Sequence, residues 1–274
     1  MIPVHFVDTH CHLNSEFFDA DLDDVVARAR AVGVTRMVVP ATRFRNISKV
    51  LAIAERYEGV YGAVGVYPRY CAEWQASDID RLRQAAQHKR VVAIGEIGLD
   101  YSWNNRCPLE KQQEVFSEQL RLAADLGLPV IIHNFQSYAD CLRLVAESPL
   151  AGSDRVGVLH HFTGDYDTAR RAIGLGFCLS FAGPVTYKNA RKMPTLVAKL
   201  PLSRIVVETD APCMPPHPHR GTQGKFSRNE PAYIPLIAQS ISAFHQKSLE
   251  ETARITTENA VRLFRLEAER APRP

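Results

Sequence analysis

No apolar run in this chain approaches the ~18 residues that a membrane-spanning helix needs. No CxxC pair occurs among its six cysteines, Cys11, Cys71, Cys107, Cys141, Cys178 and Cys213. The first absence argues against a helical membrane protein; the second excludes a zinc ribbon and the dense disulfide framework of a small secreted domain. Charge of neither sign is in large excess, since 33 Lys and Arg stand against 30 Asp and Glu, a net +3. That balance does not point to a protein coated for nucleic acid, but it permits a local basic groove. The opening MIPVHFVDTHCH has neither the basic segment nor the long apolar stretch of a secretory signal. A cytoplasmic protein with mostly buried, reduced thiols is expected, with no membrane contact and no obligate protein partner.

What is present is ordinary globular composition, 46% hydrophobic and 23% charged over 274 residues. No linker-like composition shift divides it, so a single domain over 1–274 is expected. Short β-rich runs fall at His5–Asp8, Arg36–Pro40, Val60–Val66, Val91–Gly95, Pro129–Ile132, Val156–Leu159, Phe177–Phe181 and Arg204–Val207. Amphipathic stretches separate them, and two more close the chain at Ile234–Gln246 and Glu250–Glu267. Eight strands, each followed by a helical crossover, predict an α/β fold of the (β/α)8 TIM-barrel type. A doubly wound open sheet is the alternative, but its first strand usually runs into a Gly-rich phosphate loop. Here the first strand runs into Asp8-Thr9-His10-Cys11-His12.

In a barrel, chemistry sits where the strands end. Strand 4 ends in Glu96, strand 5 in His133, strand 6 in His160, and strand 8 in Glu208-Thr209-Asp210. Strand periodicity places Asp8, His10 and His12 on one face, and aims Glu208 and Asp210 the same way. Any one of these residues alone reads as a hydrogen-bonded structural group. Five barrel ends carrying HxH, Glu, His, His and Asp read differently, because costly polar groups converge on one mouth. Imidazole and carboxylate donors together suit Zn²⁺ or Mn²⁺, and a bridging carboxylate lets two ions share a site.

DTHCH, GEIGLDY, PVIIH, LHHFTG and ETDAP, followed by a Pro-rich loop ending in NEP, resemble the TatD family of metal-dependent hydrolases and deoxyribonucleases, within the amidohydrolase-like barrels. The resemblance runs from about residue 6 to 264. It implies that His10 and His12 are the HxH ligands, Glu96 the carboxylate bridging two metals, and His133 and His160 the second-site ligands. Asp210 resembles the metal-linked acid/base. Two divalent ions are implied, zinc as the expected occupant, with Mg²⁺ or Mn²⁺ able to support activity. Phe162 aligns with the family's HCF, which leaves His161 where Cys is common, as a structural or supporting residue. Asn229, Glu230 and Pro231 match a loop that shapes the substrate pocket.

One motif departs from the pattern. After strand 3 the family reads GxHPH, whereas this chain reads Gly65-Val66-Tyr67-Pro68-Arg69. The first family histidine is thought to help hold the scissile phosphate. Arg69 offers a phosphate fork in its place and Tyr67 a hydroxyl donor. Glu208, Arg228, Asn229 and Glu230 complete the expected substrate contacts. His217, His219, Arg220, Lys225 and Arg228 make a basic loop over the mouth, read either as a solvated loop or as phosphate steering. Trp74, Trp103 and Tyr101 follow strands 3 and 4, either to pack or to stack on bases. His5, His88 and His245 fall away from the mouth and carry no expected role.

The expected function is phosphodiester hydrolysis of single-stranded or frayed DNA by a two-metal-activated water, with Asp210 and Glu96 as catalytic groups. Hydrolysis of an amide, lactone or aminoacyl ester in the same site is the alternative. A non-catalytic binding barrel is the third reading.

Overall fold

The computed structural model describes residues 4–221 and 227–266. Eight parallel strands lie side by side in chain order: β1 (Phe6–Asp8), β2 (Val34–Pro40), β3 (Val60–Val64), β4 (Val91–Asp100), β5 (Val130–Phe135), β6 (Gly157–Leu159), β7 (Phe177–Phe181) and β8 (Ile205–Val207). The barrel closes where the amide of Thr9 donates to the carbonyl of Val207. The predicted (β/α)8 barrel is the observed fold.

Around it run α1 (Leu22–Ala31), α2 (Phe44–Arg56), α3 (Asp78–Ala86), α4 (Leu109–Asp125), α5 (Tyr138–Ala146), α6 (Tyr166–Gly174), α7 (Met193–Lys199), α8 (Ile234–His245) and α9 (Leu249–Phe264). Helix ends follow local chemistry: Asp165 accepts from the amide of Thr168 at the start of α6, and Ser248 from that of Glu251 at the start of α9.

Alternation along the strands sorts the core. Val7, Val38, Ala63, Ala93, Ile131, Val158, Cys178 and Val206, one from each strand, form a buried cluster with Leu263 and Phe264 of α9. The neighbouring positions, such as Met37, Val39, Ile94, Val130 and Ile132, pack in a second cluster with the surrounding helices. A strand residue two steps beyond the first cluster has the same orientation one layer higher. Those positions are His133 on β5, His160 just past β6 and Glu208 just past β8.

Strand β4 is longer than its apolar run suggests. It continues past Gly95 to Asp100, and its pairing with β5 shifts register between Ile94 and Ile97. Such a bulge re-aims a side chain, and Glu96 lies in this one. The glycines of GEIGLDY make the fit possible. A Cβ on Gly95 would come within 2.6 Å of the Ile131 Cβ, and Gly98 combines φ +138° with a Cβ position 2.0 Å from the His133 carbonyl.

Candidate metal centre

The two oxygens of Glu96 face different groups. Oε1 lies 3.1 Å from His160 Nε2 and 3.3 Å from His133 Nδ1, while these two nitrogens are 3.3 Å apart. Oε2 lies 3.6 Å from the Nε2 atoms of both His10 and His12. The same two nitrogens lie 3.7 and 3.6 Å from Asp210 Oδ1, and 3.1 Å from each other. The structure therefore brings His10, His12, Glu96, His133, His160 and Asp210 into one constellation, shared through Glu96.

These donors reach the mouth by different routes. His133 and His160 follow the strand alternation. His10 and His12 do not, because β1 stops at Asp8 and the chain then coils over the barrel top. The expectation that Asp8 shares their face is corrected: Asp8 turns to the β1–β8 seam, where it accepts from the amide and hydroxyl of Thr209 at 3.0 and 2.5 Å and from the amide of His10 at 3.2 Å. The amides of Asp210 and His12 then bond to the carbonyls of His10 and Ala211, interlocking the two segments. Asp210 itself adopts a left-handed φ of +55°, uncommon for a non-glycine residue, which sets its direction apart from that of Glu208.

The donor set fits a pair of divalent cations. Nitrogen ligands about 2.0–2.1 Å from a tetrahedral zinc lie roughly 3.3–3.4 Å from one another, and the separations here bracket that value. Paired imidazole nitrogens such as His10 and His12 cannot both be satisfied as acceptors by each other. A cation between them satisfies both. Three overlapping donor groups meet this requirement: His10–His12–Glu96, His10–His160–Asp210 and Glu96–His133–His160.

Electrostatics divides the histidines. Burial, together with neighbouring imidazoles, lowers the pKa of His10 and His12. Burial would lower His133 and His160 too, but the neighbouring carboxylates outweigh it. Asp100 and Glu96 raise His133, and Glu96 and Glu208 hold His160 well above the ordinary imidazole value. Burial opposes the charge on Glu96, yet the surrounding histidines keep its pKa well below the usual carboxylate range. Burial pushes Asp210 up to about 6 against the pull of His160 and His12, and a bound cation would favour its charged form again.

Several of the expected substrate contacts are engaged within the protein itself. The Glu208 side chain is fully buried, 3.4 Å from His160 Nδ1, and accepts from the amide of His161 at 2.6 Å. It backs a histidine rather than facing solvent. Asn229 donates to the carbonyls of Thr209 and Cys213, tying down the segment that carries Asp210. Glu230 is gripped by Arg28 at 2.7 Å and Arg228 by Asp21 at 2.7 Å, so both are spent on anchoring the loop after β8. The Tyr67 hydroxyl lies 3.1 Å from Asp100 Oδ2 and 3.1 Å from His133 Nε2. Its single proton is directed to Asp100 and is not free for a phosphate. Arg69 is exposed on the rim and reaches Asn104 at 3.2 Å.

His161 is half-buried; desolvation and the neighbouring His160 lower it to about 4, and its ring is not among the donor groups. In the basic loop His219 stacks on Tyr233 and Arg220 lies over the Tyr187 ring, while the His217 amide bonds to Thr186; Lys225 lies outside the described residues. Sequence reasoning assigned no role to Asp100. Its signal was nonetheless present, since Glu96, Gly98 and Asp100 alternate along β4.

Residues 7–265 match the family described as TatD related DNase. The chain is 41% identical over 260 residues to YabD of Bacillus subtilis, named as an uncharacterized metal-dependent hydrolase, covering 94% of this chain and 98% of that one. It is 36% identical to a protein of Cronobacter sakazakii named 3'-5' ssDNA/RNA exonuclease TatD, covering 94% and 97%. The crystal structure of YjjV, a TatD homolog from Escherichia coli, superposes with a TM-score of 0.88 at 33% identity, over 96% of this chain and 99% of that one.

Proposed function

The chain belongs to the TatD family of metal-dependent hydrolases, and from that premise we propose that its site cleaves phosphodiester bonds of DNA at single-stranded or frayed ends, RNA being open to the same chemistry. The observation that carries this reading is Glu96, whose two oxygens serve two donor groups at once. We assign His10, His12, Glu96 and Asp210 to one divalent ion and Glu96, His133 and His160 to the other. Zinc is the expected occupant, and Mg²⁺ or Mn²⁺ would also sustain turnover. When bound, such a pair lowers the pKa of a water to about 7 and offsets charge on phosphate oxygens.

The protein's own groups do the rest. Asp210 accepts the proton of the attacking water. Tyr67 and Asp100 hold His133 from behind, and Glu208 holds His160, so that Nδ1 of the first and Nε2 of the second stay turned to Glu96. Tyr67 is thus reassigned from phosphate donor to positioning residue. Arg69 remains at the rim as the phosphate cation. The name carried by the Cronobacter relative supports a single-stranded substrate. Six free thiols, five of them buried, accord with the reducing cytoplasm.

The test is metal-reconstituted enzyme given a single-stranded oligonucleotide, the matching RNA, and a panel of carboxyl esters and amides. Shortened oligonucleotides, with the activity abolished by chelation, are expected. Arg69→Ala should lower kcat/KM on the oligonucleotide roughly 10- to 150-fold, as the loss of a charge-assisted hydrogen bond implies. Ester or amide hydrolysis with every oligonucleotide left intact would overturn the reading in favour of carboxyl chemistry. Metal uptake with no hydrolysis at all would favour the binding barrel.

A further inference from the structure

The three aromatic residues that follow strands 3 and 4 have separate fates. Trp74 is 4% exposed, donates to Glu118 at 2.8 Å and stacks on Phe44. Tyr101 is half-buried and donates to Asp140. Trp103 is 95% exposed. Tryptophan is on average a highly buried residue, and this one is displayed on the face of the barrel where the metal ligands converge.

Its loop is tightly framed. Asp100 accepts from the Ser102 amide at 2.9 Å through its side chain, and its carbonyl accepts from Asn105 at 2.9 Å. Asn105 in turn accepts from the Cys107 amide, and Gln112 donates to the Cys107 carbonyl. Asn104, next to the indole, accepts from Ser102 at 2.8 Å and from Arg69 at 3.2 Å. Asp100 is the residue that receives the Tyr67 hydroxyl and lies 3.7 Å from His133. A continuous set of hydrogen bonds therefore joins the loop that presents Trp103 to a proposed metal ligand. Arg69 stands on one side of this loop, and Arg106 projects from it, exposed.

We propose that Trp103 is a stacking platform for a nucleobase next to the scissile phosphodiester, with Arg69 and Arg106 beside it for the adjoining phosphates. The inference rests on the nuclease reading and names how that substrate is held. An indole face recognises any base by its π-surface, so the platform grips strands of any sequence. It also requires an unstacked base, which a single strand or frayed end offers and a duplex middle does not. Because the loop is framed beforehand, little ordering is needed on binding.

The experiment uses the metal-loaded enzyme and a phosphorothioate-linked single strand that resists cleavage, alongside a strand of equal length with abasic positions. Indole fluorescence should be quenched when the base-bearing strand binds, and the quench should vanish in Trp103→Phe while affinity is largely retained. In Trp103→Ala the preference for the base-bearing over the abasic strand should fall roughly 5- to 150-fold. If the wild-type enzyme cleaves ordinary strands but shows no quench, or if Trp103→Ala keeps the full preference, the platform is wrong and the nuclease reading stands. If the wild-type enzyme binds and cleaves no strand yet hydrolyses carboxyl esters, both fall together. A change of oligomeric mass in Trp103→Ala with the preference intact would assign the indole to a protein contact and overturn the proposal.

Discussion

The two sides of the centre are built differently. His133 and His160 stand at strand ends, and each has a buried carboxylate behind it, Asp100 for the first and Glu208 for the second. His10 and His12 stand on coil beyond β1, and the carboxylates within ion-pair reach of them, Glu96 and Asp210, lie against their Nε2 atoms. One side is pre-oriented by its supports; the other is held by the interlock of backbone between the ends of β1 and β8. The difference teaches that a shared carboxylate can join a rigid half-site to a simpler one. It also separates the proton chemistry of the halves, because Glu96 together with the supporting carboxylates raises His133 and His160, while burial lowers His10 and His12.

The sharpest break is Asp210→Asn, which removes a charge and the proton acceptor from the coil-built side. It should lower kcat about 10²–10⁴-fold, with the ion held by Glu96, His133 and His160 retained. Steady-state kinetics with metal analysis checks both halves of that expectation. Equal loss of both ions would show that the sides are not separable.

Next in size are the supports. Glu208→Gln or Asp100→Asn should weaken one of two metal equivalents about 10- to 100-fold and leave the other unchanged, as read by chelator competition. Tyr67→Phe, which removes only a hydroxyl from the same cluster, should fall at the lower end of that range. Uniform weakening of both equivalents would erase the distinction drawn between the sides.

A proton count refines the comparison. With His160 held above the ordinary imidazole value, a cation entering that side must displace a proton near pH 7. Binding there should release protons and tighten as pH rises. His10 and His12, lowered by burial, have fewer to release. Calorimetry in buffers of different ionisation enthalpy measures the two equivalents; equal proton release would contradict the assignment.

The smallest effect belongs to the rim. The Arg228 hydrogen bond is the main reason the Asp21 carboxyl is held down at about 2, but the pair is solvent-accessible and screened. Asp21→Asn should move Tm by no more than a few degrees. It should leave metal affinity unchanged on both sides.

The sequence reading reached the metal-ligand candidates more fully than their supports. The candidates close apolar runs, and a His or carboxylate at the end of a run stands out against its neighbours. Asp100 was hidden because β4 bulges and continues beyond Gly95, so that the end of the apolar run is not the end of the strand. Glu208, Arg228, Asn229 and Glu230 carry polar groups that suit a substrate, and nothing in one dimension tells a partner in solution from Arg28, Asp21 or His160 across the fold.

The sequence by itself therefore determined what is periodic or local: eight alternations of strand and helix, and chemically suitable donors at the strand ends. Only the tertiary structure decided what depends on pairing across long separations. It turned Asp8 to the seam with Thr209, set the two oxygens of Glu96 between four histidines from three segments, and gave the Tyr67 hydroxyl to Asp100. It also left Trp103 bare while burying Trp74. The physical reason is that strand alternation is set by neighbouring residues. Which polar groups satisfy one another is settled only when β1 meets β8 and the loops close over the mouth.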